Sequence, residues 1–496
     1  MFLRKRENSF IIFMNTNFTP KRKKWPWVLS IIFLFIFVGG FYAYSFVKNL
    51  TPEDLLQSDF VQKQIIKQVG DENSDLLNII PDLLGFEEPK TYLFLFLNNT
   101  ELRPGGGFIG SYATMHFDKG QTSILQMGGT ENISKNSSSD NPPVILKDKL
   151  GVDKWYFRDS NWSPDFAFSS EKTLEFYKNG NNVGADDIDG VVGITTDVLE
   201  DLMQITGPFV VDGIEFTSQN VIEKLEYEVE YAYDDKGLEF HERKDILETF
   251  MLALMNHVKG DVFKNLAKYK NLALALLKEK NIVIFSLSEE KEDILTKNNW
   301  GGRMNESDGD YLLWVDANLA ALKTDYVIKR DLYYSFGKND SGDYVATAKM
   351  HYFHKGSFDW RTTRYLSYSR VYVPLNSKLV SVKFAGKEID KKDIDTNVEG
   401  GKQWFGTFIR IEPGEEKELE FIYSLSDSVQ EILKNKNYSL LLQKQIGMNN
   451  VNINLDLNFD SNITLAEPSE ESSHWGNNIY NYSSALSQDK NFVISF

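Results

Sequence analysis

The sequence contains no cysteine among its 496 residues. This absence excludes disulfides, cysteine-ligated zinc, iron–sulfur clusters and thiol catalysis. Histidine is scarce as well, because its six residues are scattered along the chain and leave little room for a histidine-rich metal site. The G-x-S-x-G and H-E-x-x-H motifs are also missing, so hydrolase and metalloprotease functions lose their strongest sequence support.

The composition is that of a folded protein. Hydrophobic residues make up 42% of the chain and charged residues 25%, values near the globular average that exclude wholesale disorder. Aromatic residues reach 14%, with 35 Phe and 23 Tyr, which favours extensive β-sheet. A chain of this length has room for about two to four domains.

An uncharged apolar run extends from Trp25 to Val47. As a helix it would span about 34 Å, slightly more than the hydrocarbon core of a bilayer. Seven basic residues and one acidic residue precede it, and this bias predicts a cytoplasmic N-terminus. We therefore predict a basic cytoplasmic tail (1–24) and one transmembrane helix (25–47). The alternative, a cleaved signal peptide, usually has a shorter apolar region of about 7–15 residues.

Charge divides at this predicted membrane segment. The first 47 residues carry +6, and the whole chain carries −17, so the remainder carries −23. A strongly acidic extracytoplasmic part argues against nucleic acid as a partner. The sequence thus predicts a single-pass protein of the cell membrane whose C-terminus lies outside the cytoplasm.

The extracytoplasmic part divides into three regions. Residues 48–89 form a predicted stalk or linker. In residues 90–325, a buried strand at 91–97, a hairpin and alternating helices and strands predict a mixed α/β domain. From Tyr326 onward, short alternating strands predict a β-sandwich over 326–496. The predicted fold class is therefore α/β (α+β) with a C-terminal β-sandwich.

The first candidate site is the stretch NNTELRPGGGFIG, residues 98–110. Three glycines after a buried strand bring backbone amides close to a ligand, and Arg103 suits phosphate or carboxylate. Glu101 is a candidate metal ligand, base or ion-pair partner of Arg103. The predicted ligand-binding residues here are Asn98, Glu101, Gly105, Gly106 and Gly107. The alternative is a tight bulged turn between strands.

The second candidate site is WYFRDSNWSPDF, residues 155–166. It places Arg158, Asp159, Asn161 and Asp165 close together, a set that suits Mg²⁺ with a phosphorylated ligand. In the alternative, Arg158 pairs with Asp159 and Asp165 caps the next helix. We expect both stretches to follow strands of one domain and to face one cleft.

Other charged residues are weaker candidates. Glu226, Glu228 and Glu230 alternate with apolar residues, a pattern typical of a solvated helix face. His351 and His354 are three residues apart in a predicted strand and should point to opposite faces. The sequence therefore assigns neither group to a site.

Several segments resemble the bacterial family called domain of unknown function 4012 (DUF4012). They are NNTELRPGGGFIG, RDSNWSPDF, IDGVVGITTDVLEDLMQITGP and DYLLWVDANLAALKTDYVIKRDLYYS, with RVYVP and LLLQKQIG further on. The resemblance covers nearly the whole extracytoplasmic part. It implies a membrane-anchored exported protein, and the family supplies no catalytic residue.

A more limited similarity is to the LytR–CpsA–Psr transferases, which attach lipid-pyrophosphate-linked glycopolymers to the cell wall. By this similarity, Arg103 and Arg158 would hold the pyrophosphate, and Glu101, Asp159 or Asp165 would bind Mg²⁺. The chain departs from those enzymes by its large β-domain and by the lack of further alignable arginines.

The sequence thus predicts a cell-envelope protein that acts as a Mg²⁺-dependent transferase on polyprenyl-pyrophosphate-linked glycopolymers. Its catalytic residues would be Arg103, Arg158 and Asp159, with Asn161 among the ligand contacts. The alternative function is a non-enzymatic surface module that binds envelope glycan or a partner protein.

Overall fold

The computed structural model describes residues 81–496 apart from 120, 134–139, 234–236, 238–244 and 262–263. The predicted tail, the predicted transmembrane helix and residues 48–80 of the predicted stalk lie outside the described residues. Within the described part, no helix has the length and apolar character needed to cross a membrane.

The N-terminal domain is built on one mixed sheet. Its strands are β1 (Lys90–Asn98), β2 (Phe108–Asp118), β3 (Gln121–Gly129), β4 (Gly190–Thr195) and β7 (Ile282–Ser286). The order is β3-β2-β1-β4-β7, with β1 parallel to β4 and antiparallel to β2. Nearly every residue of β1 and β4 is buried, as expected for strands covered on both faces. The predicted central strand and hairpin are therefore confirmed.

Helices cover both faces of this sheet. The helices of this domain are α1 (Val144–Leu150), α2 (Phe166–Asn179), α3 (Asp197–Thr206), α4 (Val221–Tyr227), α5 (Asp245–Asp261), α6 (Leu266–Lys278) and α7 (Glu289–Lys297). A π-helical turn, Glu228–Ala232, continues α4, and a small hairpin of β5 (Phe209–Val211) and β6 (Ile214–Phe216) follows α3. Helix α2 packs on one face of the sheet, whereas α3 to α7 pack on the other.

The C-terminal domain consists of two seven-stranded sheets. Its strands are β8 (Asp310–Asn318), β9 (Ile328–Lys338), β10 (Tyr344–His354), β11 (Tyr365–Pro374), β12 (Lys378–Phe384), β13 (Lys387–Glu388), β14 (Asp395–Glu399), β15 (Lys402–Ile411), β16 (Glu416–Ser424), β17 (Asn437–Gln443), β18 (Val451–Asn458), β19 (Leu465–Glu467), β20 (Ile479–Ala485) and β21 (Lys490–Ser495). Helix α8 (Asp427–Lys434) precedes β17. The sheet orders are β13-β12-β16-β10-β9-β18-β20 and β14-β15-β11-β8-β17-β21-β19.

The two sheets share one hydrophobic core, which is the layered arrangement of a β-sandwich. Residues alternate between buried and half-buried along β10, so His351 and His354 lie on opposite faces as predicted. Strand β8 belongs to one of these sheets. This domain, called the β-domain below, therefore begins at Asp310 in the structure, whereas the sequence placed its start at residue 326.

The segment after β17 holds the two domains together. The Gln445 side-chain amide donates to the backbone carbonyls of Arg103 and Asp316, at 3.0 and 2.9 Å. The Asn99 amide donates to the carbonyl of Gly447, at 3.0 Å. A Cβ on Gly447 would lie 2.1 Å from the carbonyl oxygen of Gly106, so only glycine permits this approach. The loop after β1 is thereby fixed between the domains.

Candidate functional site

A cavity of about 330 Å³ opens where β1 and β4 end. The two strands are parallel, so their carboxyl ends meet here, which is where open α/β sheets bind ligands. The walls are mainly apolar and include Phe96, Ile194, Leu199, Ile222, Leu225 and Phe250. The site is therefore a hydrophobic pocket at the end of the sheet.

Polar side chains ring this cavity. They are Asn98, Ser111, Thr130, Glu131, Arg158, Thr195, Thr196, Glu226, Glu230 and Lys323. All but Lys323 belong to the α/β domain, and Lys323 lies in the segment that follows β8. Because residues of both domains contribute, the rim depends on how the domains are joined.

The glycine loop is packed against protein rather than opened to the cavity. A Cβ on Gly107 would lie 2.5 Å from the Asn98 carbonyl carbon, and one on Gly105 would lie 3.0 Å from the Asn161 Cβ. The Gly105 and Gly106 amides donate to the carbonyls of Asn161 and Arg103. This is the bulged turn considered as the alternative, because the β1–β2 register shifts at Phe96/Leu97.

Arg103 does not line the cavity. Its side chain is buried, with Nε donating to Asp159 at 3.3 Å, Nη2 donating to Glu101 at 3.2 Å and Nη1 donating to the carbonyl of Asn318. In the structure, the Arg103 guanidinium thus binds protein acceptors and is not placed for the direct phosphate contact predicted from the sequence. Nη1 also donates to the carbonyl of Leu102 at 3.4 Å, so a buried guanidinium with four acceptors joins the glycine loop to the β-domain.

Glu101 completes this cluster between Arg103 and Lys323, whose Nζ lies 2.8 Å from Glu101 Oε2. Burial alone would raise the pKa of the Glu101 carboxyl, but the charges of Lys323 and Arg103 outweigh it and lower that pKa. Burial would likewise lower the pKa of Lys323, and the charge of Glu101 raises it instead. Both groups are therefore held in their charged forms.

Arg158, like Asn98, is a predicted site residue that does line the cavity. Its side chain is 41% exposed, and its Nε lies 3.5 Å from Asp159 Oδ2, while Arg103 occupies Asp159 Oδ1. The buried carboxylate of Asp159 thus fixes the orientation of the Arg158 guanidinium. Asn161 is buried as well, and its amide donates to the carbonyl of Gly107 at 2.7 Å. Arg158 and Asp159 lie in a 3-10 turn, Phe157–Asp159, and Asn161 comes just after it. The element before this turn is helix α1 rather than the strand expected from the sequence.

The three carboxylates predicted to bind Mg²⁺ do not fit that ion. Glu101 and Asp159 are each paired with two cationic side chains. Asp165 caps α2 by accepting from the amides of Ala167 and Phe168, and its second oxygen accepts from the amide of Met304. Among the residues that the structure describes, no group of three acidic or histidine side chains is placed to hold a metal.

Glu226 is the residue whose role the sequence missed. The solvated face predicted for it is wrong, because Glu226 is only 8% exposed. Its Oε1 accepts from Asn98 at 3.1 Å and from Thr100 at 2.5 Å, and its Oε2 accepts from Arg361 at 2.6 Å. Glu226 thus ties the cavity rim to the β-domain.

Comparison with protein families confirms the predicted DUF4012 resemblance over part of the chain. Residues 87–230, which carry the glycine loop, Arg158 and most of the cavity, match the family described as "Protein of unknown function (DUF4012)". The similarity to the LytR–CpsA–Psr transferases is not shown by any of the matches found. No curated protein matches the chain.

Solved structures are similar to parts of the chain at low identity. A putative nutrient binding protein from Legionella pneumophila is 7% identical over 38% of this chain and 72% of its own, with a TM-score of 0.23. An M1 zinc metallopeptidase from Deinococcus radiodurans is 7% identical over 34% of this chain and 42% of its own, with a TM-score of 0.17. Leukotriene A4 hydrolase from Saccharomyces cerevisiae is 8% identical over 34% of this chain and 28% of its own, with a TM-score of 0.21. Similarities this low support no inference about function.

Proposed function

From the premise that residues 87–230 match the DUF4012 family, we propose that this chain is a membrane-anchored cell-envelope protein that binds a lipid-linked glycopolymer. The lipid end would enter the cavity at the ends of β1 and β4. The observation that carries the proposal is the combination of apolar walls with a polar, charged rim. That combination suits an amphiphile, since each buried CH₂ group contributes about 0.8 kcal/mol to binding.

Arg158 supplies the contact for a phosphate on the lipid. Its Nε faces Asp159, and its Nη groups carry no hydrogen bond to the residues that the structure describes. Lys323 is less available, because Glu101 holds its ammonium at 2.8 Å. A planar guanidinium forms bidentate, charge-assisted hydrogen bonds with phosphate. The rim therefore favours a ligand with one phosphate near Arg158.

Arg103 and Asp159 act in this proposal as positioning residues. Arg103 pairs with Asp159 Oδ1, and Asp159 Oδ2 faces Arg158. These two linked ion pairs hold the Arg158 side chain in position. Transfer of the glycopolymer, the activity predicted from the sequence, would need the attacked phosphorus to lie at Arg158. The side chains at the rim support ligand binding more directly than they support this transfer.

The predicted membrane helix at residues 25–47 fits such a ligand. A lipid-linked glycopolymer lies at the membrane surface, and a tethered domain would meet it at high effective concentration. The strongly acidic extracytoplasmic part, with a charge of −23 by the sequence, would repel polyanions in bulk. It therefore favours a single anchored lipid over a free anionic polymer.

Binding of farnesyl pyrophosphate to the full chain in nanodiscs tests this function. We expect saturable binding by isothermal titration and a higher unfolding temperature, because a ligand that binds only the folded state stabilises it. Leu199→Trp fills the cavity and should abolish both effects. Gln204→Trp, on the exposed side of the same helix, is the matched control. Equal binding by both variants would place the ligand elsewhere and contradict the proposal.

A further inference from the structure

Three aromatic side chains form an exposed ledge beside the cavity. They are Tyr227 and Tyr231, at the end of α4 and in the π-helical turn that continues it, and Trp360 from the β-domain. Tyr227 is 42% exposed and Tyr231 is 44% exposed. Solvent-exposed clusters of large aromatic rings are uncommon on soluble surfaces and mark binding sites. These three residues are called the aromatic ledge below.

The ledge is held rigid by contacts between its own rings. The Trp360 ring meets Tyr227 and Tyr231 edge-on, with centroids 5.3 and 5.4 Å apart, and the two tyrosine rings stack at 6.1 Å. The Tyr231 hydroxyl also donates to the Trp360 carbonyl at 2.9 Å. A ligand would therefore meet a preformed surface and lose little free energy in ordering it.

The loop that carries Trp360 is fixed as well. Asp359 Oδ1 accepts from the backbone amides of Arg361 and Thr362, at 2.8 and 2.7 Å. Burial alone would raise the pKa of Asp359, but these hydrogen bonds outweigh it and keep that pKa low. The turn thus holds the indole in place next to α4.

The ledge is continuous with the cavity rim through α4 and the turn after it. Glu226 and Glu230 line the cavity, and each directly precedes a tyrosine of the ledge in sequence. The π-helical turn Glu228–Ala232 lies at the same place, and such turns occur frequently at functional sites. One helical segment therefore supplies both the cavity wall and the ledge.

We propose that the aromatic ledge binds a pyranose ring of a saccharide whose lipid occupies the neighbouring cavity. This inference rests on the proposed function for the lipid, and it adds the ledge as a separate saccharide subsite. The apolar C–H face of a pyranose packs on aromatic rings, and its hydroxyls donate to carboxylates such as Glu230. The surrounding acidic residues favour a neutral sugar over an anionic one.

The test uses the full chain in nanodiscs with chitotriose and maltotriose as probes. We expect at least one probe to change the tryptophan fluorescence saturably. Trp360→Ala and Tyr227→Ala should each weaken that binding at least tenfold, whereas Tyr231→Phe, which keeps the ring, should weaken it less than threefold. Trp475→Ala is the matched control, because Trp475 is 67% exposed and lies between β19 and β20, outside the loop and the helix that carry the ledge.

Parallel titration with farnesyl pyrophosphate separates this inference from the proposed function. Saccharide binding that is lost in the ledge variants, with lipid binding unchanged, supports a separate subsite. Saccharide binding without lipid binding would overturn the proposed function and leave the ledge as a glycan site. Absence of binding by both saccharides, unchanged affinity in Trp360→Ala and Tyr227→Ala, or binding of a proline-rich peptide in their place would overturn the inference.

Discussion

Arg361 of the β-domain donates from Nε to Glu226 of the α/β domain at 2.6 Å, and both side chains are more than nine-tenths buried. Glu226 also accepts from Asn98 at the end of β1. The polar rim of the cavity is therefore held by an ion pair that crosses the domain boundary. A change in how the domains are packed would alter the rim directly.

Arg361→Met should destabilise the protein by about 3–5 kcal/mol, because it leaves the Glu226 carboxylate buried without its partner. Glu226→Gln in the same background should restore part of that loss, since the uncompensated charge is removed. Urea denaturation of the full chain in detergent, followed by tryptophan fluorescence, measures both effects.

The exposed pair Lys434–Glu431 is the control for this experiment. Lys434→Met should leave the denaturation midpoint nearly unchanged, because exposed ion pairs contribute little. If Arg361→Met behaved like Lys434→Met, the Glu226–Arg361 pair would not hold the domains together.

Arg103→Ala should lower the melting temperature strongly, because it leaves the buried carboxylate of Asp159 with only the half-exposed Arg158 and leaves Glu101 with Lys323 alone. We expect a loss of about 3–5 kcal/mol. Arg158→Ala removes an exposed partner of the same Asp159 and should cost less than about 1 kcal/mol. Calorimetry of the two variants separates the roles, and a normal melting temperature for Arg103→Ala would return Arg103 to the ligand-binding residues.

The sequence predicted those elements whose signal is local. The apolar run of β1 and the alternation in the following hairpin identified both correctly. Strand β8 was assigned to the wrong domain because it is buried throughout and so lacks the alternation that marked the other β-domain strands. Its second face packs against Met304 and, through Ala317, against Leu146 of α1, contacts that the local sequence does not show.

The site was predictable only in part, because several of its contacts join residues that are far apart in the sequence. Asn98 and Arg158 do lie at the cavity. The residues around Glu226 have the sequence pattern of a solvated helix face, and the partner of Glu226, Arg361, is 135 residues away along the chain. Arg103 was chosen for its chemistry, yet its acceptors include Asn318 in the other domain. Pairings across a domain boundary leave no spacing signal in a single sequence.

Arg158→Ala should weaken the binding of farnesyl pyrophosphate about tenfold and leave the binding of farnesol unchanged. A hydrogen bond to a charged group contributes about 1.5–3 kcal/mol, and 1.4 kcal/mol corresponds to a factor of ten. Arg158→Lys keeps the positive charge but loses the planar guanidinium that forms two parallel hydrogen bonds with phosphate, so we expect an intermediate affinity. Isothermal titration in nanodiscs measures all three proteins, and an equal loss for farnesol would assign Arg158 to the cavity wall instead.

Gly107→Ala should both destabilise the protein and weaken ligand binding. The new Cβ would lie 2.5 Å from the carbonyl carbon of Asn98, so the backbone at the end of β1 must move. We expect a cost of about 1–3 kcal/mol. Gly110→Ala is the control for stability, because no heavy atom lies within 4 Å of its Cβ position. Equal denaturation midpoints for the two variants would show that the loop tolerates a side chain.

Glu200 should make stability depend on pH. Its burial, with the nearby charges of Asp197 and Asp201, raises its pKa from 4.5 to about 7. A raised carboxyl pKa means that the folded state binds the proton more tightly, so this group's contribution to stability is fully present below about pH 4.5. That contribution declines as the pH rises and is lost above about pH 7.

Glu200→Gln keeps the shape of the side chain and removes the titration. Because Glu200 is partly exposed, we expect a gain of about 1 kcal/mol at pH 8 and almost none at pH 5. Urea denaturation between pH 5 and pH 8 measures the difference, with the exposed Glu290→Gln on α7 as the charge-matched control. If the curves of Glu200→Gln and wild type ran parallel over this range, Glu200 would not be the group that titrates. If only Glu290→Gln changed the slope, the pH dependence would come from the net charge of the surface rather than from Glu200 and its acidic neighbours Asp197 and Asp201.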